Sequence, residues 1–144
     1  MQEYDLEAVQ RIEQLSFSQP WPPEAFSPEK HLRAWVICED DSLLGYIMYH
    51  SVLDESVIIN FAIDPLNRRK GLGSRLLEET LGIMSHSGTR TFFLDVRRSN
   101  AEAQSLYGKY GFHPLGYRKN YYSLPDEDAL VMVKSLDGES DERL

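Results

Sequence analysis

Residues 68–74, with the sequence RRKGLGS, join an apolar stretch with strand character to a stretch with helical periodicity. The first amide groups of a helix have no acceptor inside the helix and lie at the positive end of its dipole. Gly71 and Gly73 let the backbone approach a bulky ligand, and the basic side chains at 68–70 add positive charge. This junction predicts a pyrophosphate site, and a glycine-rich surface turn with solvated basic residues is the alternative.

Two common phosphate-binding patterns do not fit this junction. A P-loop carries its lysine after the second glycine, whereas Lys70 precedes Gly71. A dinucleotide-binding fingerprint needs a third glycine three positions after Gly73, where this chain has Leu76. The pattern that remains resembles the Q/R-x-x-G-x-G/A signature of the GNAT superfamily of acetyl-CoA-dependent N-acetyltransferases.

The hydrophobic pattern of the whole chain predicts an α/β fold. Strands are expected at 35–38, 43–52, 57–63, 91–96, 112–117 and 129–133. Helices are expected after Asp5, from Glu24, from Leu72 to Gly88, and from the capping residue Asn100 to Gly111. This order predicts a mixed sheet with helices on both faces, in a single domain over residues 1–136. The polar tail at 137–144 is expected to be loosely ordered.

The bulk composition restricts the class of protein. A chain of 144 residues with 42% hydrophobic residues can bury one core. Its formal charge of −8 argues against nucleic-acid binding and suits a cationic substrate, although it would equally aid solubility. No apolar run reaches the roughly 18 residues of a membrane span, and the first five residues lack a signal-peptide pattern. A cytoplasmic protein without membrane association is therefore expected.

The residue types that bind metals or react by redox chemistry are sparse. The histidines are scattered without metal-ligand spacing, so no metal is expected; they are His31, His50, His86 and His113. The one cysteine, Cys38, follows the apolar residues 35–37 and is expected to be a buried strand thiol.

A second block of sequence extends the resemblance to the GNAT superfamily. Residues 94–112, LDVRRSNAEAQSLYGKYGF, resemble the segment that runs from the family's fifth strand into its last helix. Residues 118–122, RKNYY, and 128–132, DALVM, resemble the C-terminal hairpin of the superfamily's ribosomal-protein-alanine N-acetyltransferases. With Gln19-Pro20-Trp21 near the start, the resemblance covers nearly the whole chain.

The resemblance implies transfer of an acetyl group from acetyl-CoA to a protein N-terminus, with the N-terminal alanine of a small-subunit ribosomal protein as the implied acceptor. It also implies that the family's fourth and fifth strands, here 57–63 and 91–96, splay apart. Acetylation of a lysine or a small amine stays open, and so does a non-catalytic acyl-CoA-binding protein that keeps the fold.

The resemblance assigns cofactor contacts to particular positions. The pantetheine arm of acetyl-CoA would pair with the backbone of Phe61, Ala62 and Ile63. The pyrophosphate would be held by the backbone and side chains of Arg69, Lys70, Gly71, Leu72, Gly73 and Ser74. Asn100 would touch the pantetheine, and an asparagine there is also a good helix cap.

The resemblance likewise implies Asp95 as the general base and Tyr107 as the general acid. The family's usual base is glutamate, so the shorter Asp95 would reach the amine through a water. An α-amine with a pKa near 8 is about one-tenth neutral at pH 7, so such a base could suffice. The alternatives are an ion pair of Asp95 with Arg97 or another cation, and a core role for Tyr107.

Two tyrosines on the predicted C-terminal hairpin, Tyr121 and Tyr122, are candidates for the acceptor groove together with Trp21. Paired aromatic residues on a hairpin also serve as packing, and this alternative stays open.

Overall fold

The computed structural model describes residues 6–16, 33–68, 71–123 and 125–136. The helices are α1 (Leu6–Ser16), α2 (Leu72–His86) and α3 (Ala101–Lys109), with a 3₁₀ turn at Pro65–Asn67. The strands are β1 (Arg33–Glu39), β2 (Ser42–Val52), β3 (Glu55–Ile63), β4 (Thr91–Arg97), β5 (His113–Tyr122) and β6 (Glu127–Ser135). The predicted α/β class is confirmed. The helix predicted from Glu24, the cap Asp5 and the tail at 137–144 lie outside the described residues.

The six strands form one mixed sheet in the order β1-β2-β3-β4-β6-β5. β1 pairs antiparallel with β2, and β6 pairs antiparallel with both β4 and β5. β3 and β4 pair in parallel from Glu55↔Thr91 to Ile58↔Leu94, and α2 supplies the crossover that a parallel pair requires. The mixed sheet predicted from the order of elements is thus confirmed.

Within this sheet the chain packs as two compact units. The first contains the described residues up to His50 together with Ile59–Gly82. Its core places Val9 and Ile12 of α1 against Tyr46 and Met48 of β2, and all four are fully buried. Val9 and Ile12 are three positions apart and therefore lie on one face of the helix, which is the buried face.

The second unit contains Ser51–Ile58 and the described residues from Ile83 onward. Alternate residues of β4 are buried, namely Phe92, Leu94 and Val96, as expected for a strand with one covered face. Gly88 and Gly111, the glycines at which the two helices were predicted to end, have φ values of 107° and 95°, a conformation that favours glycine.

The prediction that Cys38 is buried was wrong, because its side chain is exposed. β1 is an edge strand, and its register with β2 shifts between Ile37 and Cys38. The shift interrupts the alternation of faces, so Ile37 is buried while Cys38 and Glu39 are both exposed. The apolar run therefore indicated a strand correctly but not which of its residues are covered.

Candidate active site

The glycine junction of the first unit has the predicted strand-to-helix geometry. β3 ends at Ile63, and the carboxylate of Asp64 caps the following turn by accepting from the amide of Leu66 at 3.1 Å. Gly71 has a φ of +77°, which favours glycine, and α2 begins at the next residue. Of the residues predicted to hold the pyrophosphate, Arg69 and Lys70 lie outside the described residues. The pyrophosphate contacts themselves stay a prediction.

The last residues of β3 lie against a glycine on the neighbouring strand. A Cβ built on Gly45 of β2 would collide with the side chain of Ile63 and would come within 2.9 Å of the carbonyl oxygen of Ala62. Gly45 is therefore required for the close approach of β2 to the segment Phe61, Ala62 and Ile63. Sequence analysis missed this residue, because a glycine inside a strand shows its purpose only when the neighbouring strand is known.

The carboxylate of Asp95 on β4 forms an ion pair within the second unit. Its Oδ1 lies 3.3 Å from Nε of Arg118 on β5, and 24% of the Asp95 side chain is exposed. The guanidinium group of Arg118 lies over the ring of Tyr121, 5.4 Å from the centroid. The ion pair considered as an alternative for Asp95 is thus present, with Arg118 as the partner and not Arg97.

Tyr107 on α3 is 8% exposed, and its ring packs edge-on against Phe112 at 5.8 Å. Burial raises the pKa of its hydroxyl above the ordinary value, and the charge of Tyr122 raises it further. The hydroxyl is consequently a neutral hydrogen-bond donor at physiological pH. Tyr107 does pack in the core, as its alternative role required, and its burial further favours the protonated hydroxyl.

Tyr122 at the end of β5 is a half-buried tyrosine with a raised pKa. Burial raises the pKa of Tyr122 to about 12, with a further contribution from the negative charge of Asp95 and an opposing one from Arg97. Tyr122, when ionised, in turn raises the pKa of Tyr107. Asp95, Tyr107 and Tyr122 all belong to the second unit, where the guanidinium of Arg97, two residues after Asp95, lies 4.6 Å from the centroid of the Tyr122 ring. Trp21, the third aromatic residue predicted for an acceptor groove, lies outside the described residues.

Asn100 is the N-terminal cap of α3, as predicted. Its side-chain oxygen accepts a hydrogen bond from the amide of Ala103 at 3.0 Å, and Asn100 itself is exposed. The side-chain oxygen of Asn100 is thus hydrogen-bonded to the helix, so the predicted contact with pantetheine would use the side-chain amide nitrogen. That contact stays a prediction.

In the described part of the chain, no three histidine, cysteine or acidic side chains lie together in a way that could hold a metal ion. The described helices also include none that is long and apolar enough to cross a membrane.

Comparison with known proteins connects this geometry to a family. Residues 6–112 match the acetyltransferase (GNAT) family. The [ribosomal protein bS18]-alanine N-acetyltransferase of Escherichia coli (strain K12) is 36% identical over 134 residues, which cover 90% of this chain and 90% of that protein. The crystal structure of the ribosomal-protein-S18-alanine N-acetyltransferase from Escherichia coli superposes with a TM-score of 0.88 at 33% identity, covering 94% of this chain and 90% of that one. Ard1 from Thermoplasma volcanium superposes with a TM-score of 0.82 at 29% identity, covering 94% of both chains.

Proposed function

This chain belongs to the acetyltransferase (GNAT) family, and we propose that it transfers the acetyl group of acetyl-CoA to the α-amine of an N-terminal alanine, with ribosomal protein bS18 as its substrate. The observation that carries the proposal is the 36% identity to the Escherichia coli enzyme named for that reaction, over 90% of both chains. A ribosomal substrate would place the protein in the cytoplasm.

Acetyl-CoA is proposed to bind along the first unit, from the end of β3 to the start of α2. The backbone of Phe61, Ala62 and Ile63 would pair with the pantetheine arm. The pyrophosphate would lie at the start of α2, where first-turn amides such as those of Gly73 and Ser74 lack acceptors within the helix. The positive φ of Gly71, directly before α2, supports this placement because a glycine there lets the backbone come close to a ligand.

Asp95 is proposed to receive the proton that the α-amine loses as it attacks the thioester. The ion pair with Arg118 engages Oδ1, so the second carboxylate oxygen is the one proposed to face the amine or an intervening water. Little basicity is needed, because about one-tenth of an α-amine with a pKa near 8 is already neutral at pH 7. A lysine amine with a pKa near 10.4 is less than about one-thousandth neutral, which favours an N-terminal acceptor.

Tyr107 is proposed to stabilise the departing thiolate of coenzyme A by donating a hydrogen bond. A thiol has a reference pKa of about 8.5, well below the raised pKa of Tyr107. Complete transfer of the tyrosine proton would therefore be uphill, whereas a hydrogen bond from a buried donor stabilises the developing charge directly. Asn100 is proposed to contact the pantetheine through its amide nitrogen.

The experiment that tests the proposed function compares two matched peptides in the presence of acetyl-CoA. One begins with a free alanine and contains no lysine; the other is blocked at its N-terminus and contains one internal lysine. Mass spectrometry should find acetylation of the first peptide alone. Acetylation of only the blocked peptide would contradict the proposed acceptor and assign the enzyme to lysine side chains.

A second arm of this experiment tests the proposed base. Asp95→Asn keeps the size of the side chain and removes its basicity, so kcat/KM should fall by about a hundredfold or more at both pH 7 and pH 9, because the attacking amine loses a proton at either pH. A kcat/KM within about twofold of wild type would show that Asp95 does not take the proton.

A further inference from the structure

Arg97, the last residue of β4, binds the turn between β5 and β6 at several points. Its Nη1 donates to the carbonyl of Pro125 at 3.0 Å and to Oε1 of Glu127 at 3.2 Å. Its Nη2 donates to the carbonyl of Ser123 at 2.9 Å. The guanidinium carbon also lies 4.6 Å from the centroid of the Tyr122 ring. One side chain thus fixes both sides of the turn and the tyrosine that precedes it.

Glu127 carries this connection to the start of α3. While Oε1 binds Arg97, Oε2 accepts from the amide of Ser99 at 2.5 Å. Ser99 directly precedes the capping residue of α3. The side chain of Gln104 adds a second tie, because its amide nitrogen donates to the carbonyls of Arg97 at 3.1 Å and Arg98 at 2.8 Å. The beginning of α3 and the turn are therefore held by the same pair.

We propose that Arg97 and Glu127 are positioning residues for acetyl transfer, which fix Tyr122 on the hairpin and Tyr107 on α3 relative to Asp95. The inference rests on the proposed function, since that function assigns Asp95 and Tyr107 to the site that these contacts would position. Asp95 lies two residues before Arg97 on the same strand, so β4 is the common reference for both connections. Tyr107 lies three residues after Gln104, on the same side of α3.

The contacts require the shape of an arginine and not only its charge. A planar guanidinium group can donate to two carbonyls and a carboxylate while its face covers an aromatic ring. A lysine would retain attraction to Glu127 but could not keep this set of directions. Arg98, the next residue, is a matched control, because it also forms an ion pair, with Asp128 at 3.7 Å, and also covers a ring, that of Tyr117 at 4.8 Å.

The test uses Arg97→Gln, Arg97→Lys, Glu127→Gln, the double variant Arg97→Gln/Glu127→Gln, and the control Arg98→Gln. Steady-state release of coenzyme A is measured with whichever amine the wild-type protein acetylates, and activity is expressed per acetyl-CoA-binding site from calorimetry. A displacement of about 1 Å at reacting groups can cost about a hundredfold in rate, so kcat of Arg97→Gln should fall by about 10- to 100-fold. The KM for acetyl-CoA should stay within about twofold of wild type.

The conservative and double variants separate positioning from general stability. Compared with Arg97→Gln, Arg97→Lys should restore more of the wild-type melting temperature than of the wild-type kcat. The double variant should be no more than about threefold slower than the slower single variant, because the pair acts as a unit. Arg98→Gln should retain wild-type kcat.

Three results would overturn the inference: full kcat per binding site in Arg97→Gln, an equal loss in Arg98→Gln, or losses that multiply in the double variant. The assay measures release of coenzyme A with the amine that the wild-type enzyme itself acetylates. If the alanine peptide is not acetylated, the proposed acceptor is disproved, but the comparison of kcat among these variants still stands.

Discussion

Replacing Tyr107 by phenylalanine removes one hydroxyl group and leaves the buried ring in place. The edge-on contact with Phe112 at 5.8 Å does not involve the hydroxyl, so it should survive. The free energy of unfolding should fall by about 1 kcal/mol, the net value of one hydrogen bond. Tyr107→Ala removes the whole ring of a residue that is only 8% exposed, and should cost about 3–5 kcal/mol. The two variants therefore separate loss of the donor from loss of packing.

The effect of Tyr107→Phe on catalysis should be larger than its effect on stability. Loss of a donor placed at a developing charge costs about a hundredfold or more in rate, which is about 2.7 kcal/mol in the activation barrier. Acetyl-CoA affinity should change little, because the hydroxyl is proposed to act on the thiolate and not on the bound thioester. The expected signature is a large fall in kcat with an unchanged dissociation constant for acetyl-CoA.

Three measurements on the same protein preparation check this reasoning. Urea unfolding gives the change in stability, calorimetry gives the affinity for acetyl-CoA, and release of coenzyme A gives kcat. A Tyr107→Phe variant that turns over within about twofold of wild type would refute the proposed role of the hydroxyl, since loss of a donor at a developing charge costs about a hundredfold or more. Tyr107 would then be a core residue only.

Three further outcomes follow from pKa shifts, backbone conformation and buried hydrogen bonds. The pKa values of Tyr107 and Tyr122 are raised in the folded protein, so the stability that their protonated forms contribute is complete below about pH 10 and is lost as the pH rises above it. Urea unfolding at a series of pH values should show this decline, and a smaller decline in Tyr107→Phe. Gly71→Ala forces a φ of +77° on a residue with a side chain, which should cost about 1 kcal/mol of conformational free energy at this position. The KM for acetyl-CoA should rise about fivefold with kcat unchanged. An unaltered KM would argue against the proposed pyrophosphate position. Tyr46→Phe removes a hydrogen bond to the buried carboxylate of Glu13, which also accepts a hydrogen bond from Asn60 at 2.7 Å. The free energy of unfolding in urea should fall by about 2 kcal/mol. An unchanged unfolding midpoint would show that this hydrogen bond makes no net contribution to stability.

Much of the fold could be predicted because its signals are local. Alternation along β4 and helical spacing along α1 identify elements from neighbouring residues. Gly88, Gly111 and Asn100 mark helix ends through their own backbone and side-chain chemistry. These features need no knowledge of what lies across the sheet.

The features that sequence analysis missed depend on residues that are distant in sequence. The exposure of Cys38 follows from an edge position and a register shift, and the need for Gly45 follows from the closeness of β3. Arg118 on β5 is the partner of Asp95 on β4 because the strand order places only β6 between these two strands. The Arg97–Glu127 pair joins residues thirty positions apart, and no local pattern marks either of them.

The central claim is that this protein acetylates an N-terminal alanine, and intact bS18 tests it most directly. Unacetylated bS18 would be incubated with acetyl-CoA and either the wild-type protein or Tyr107→Phe, and the modified residue would be located by peptide mass spectrometry. The account predicts one acetyl group on the N-terminal alanine with the wild-type protein and only a trace with the variant. Acetylation at lysine side chains alone, or no acetylation of bS18 by a protein that binds acetyl-CoA, would contradict it.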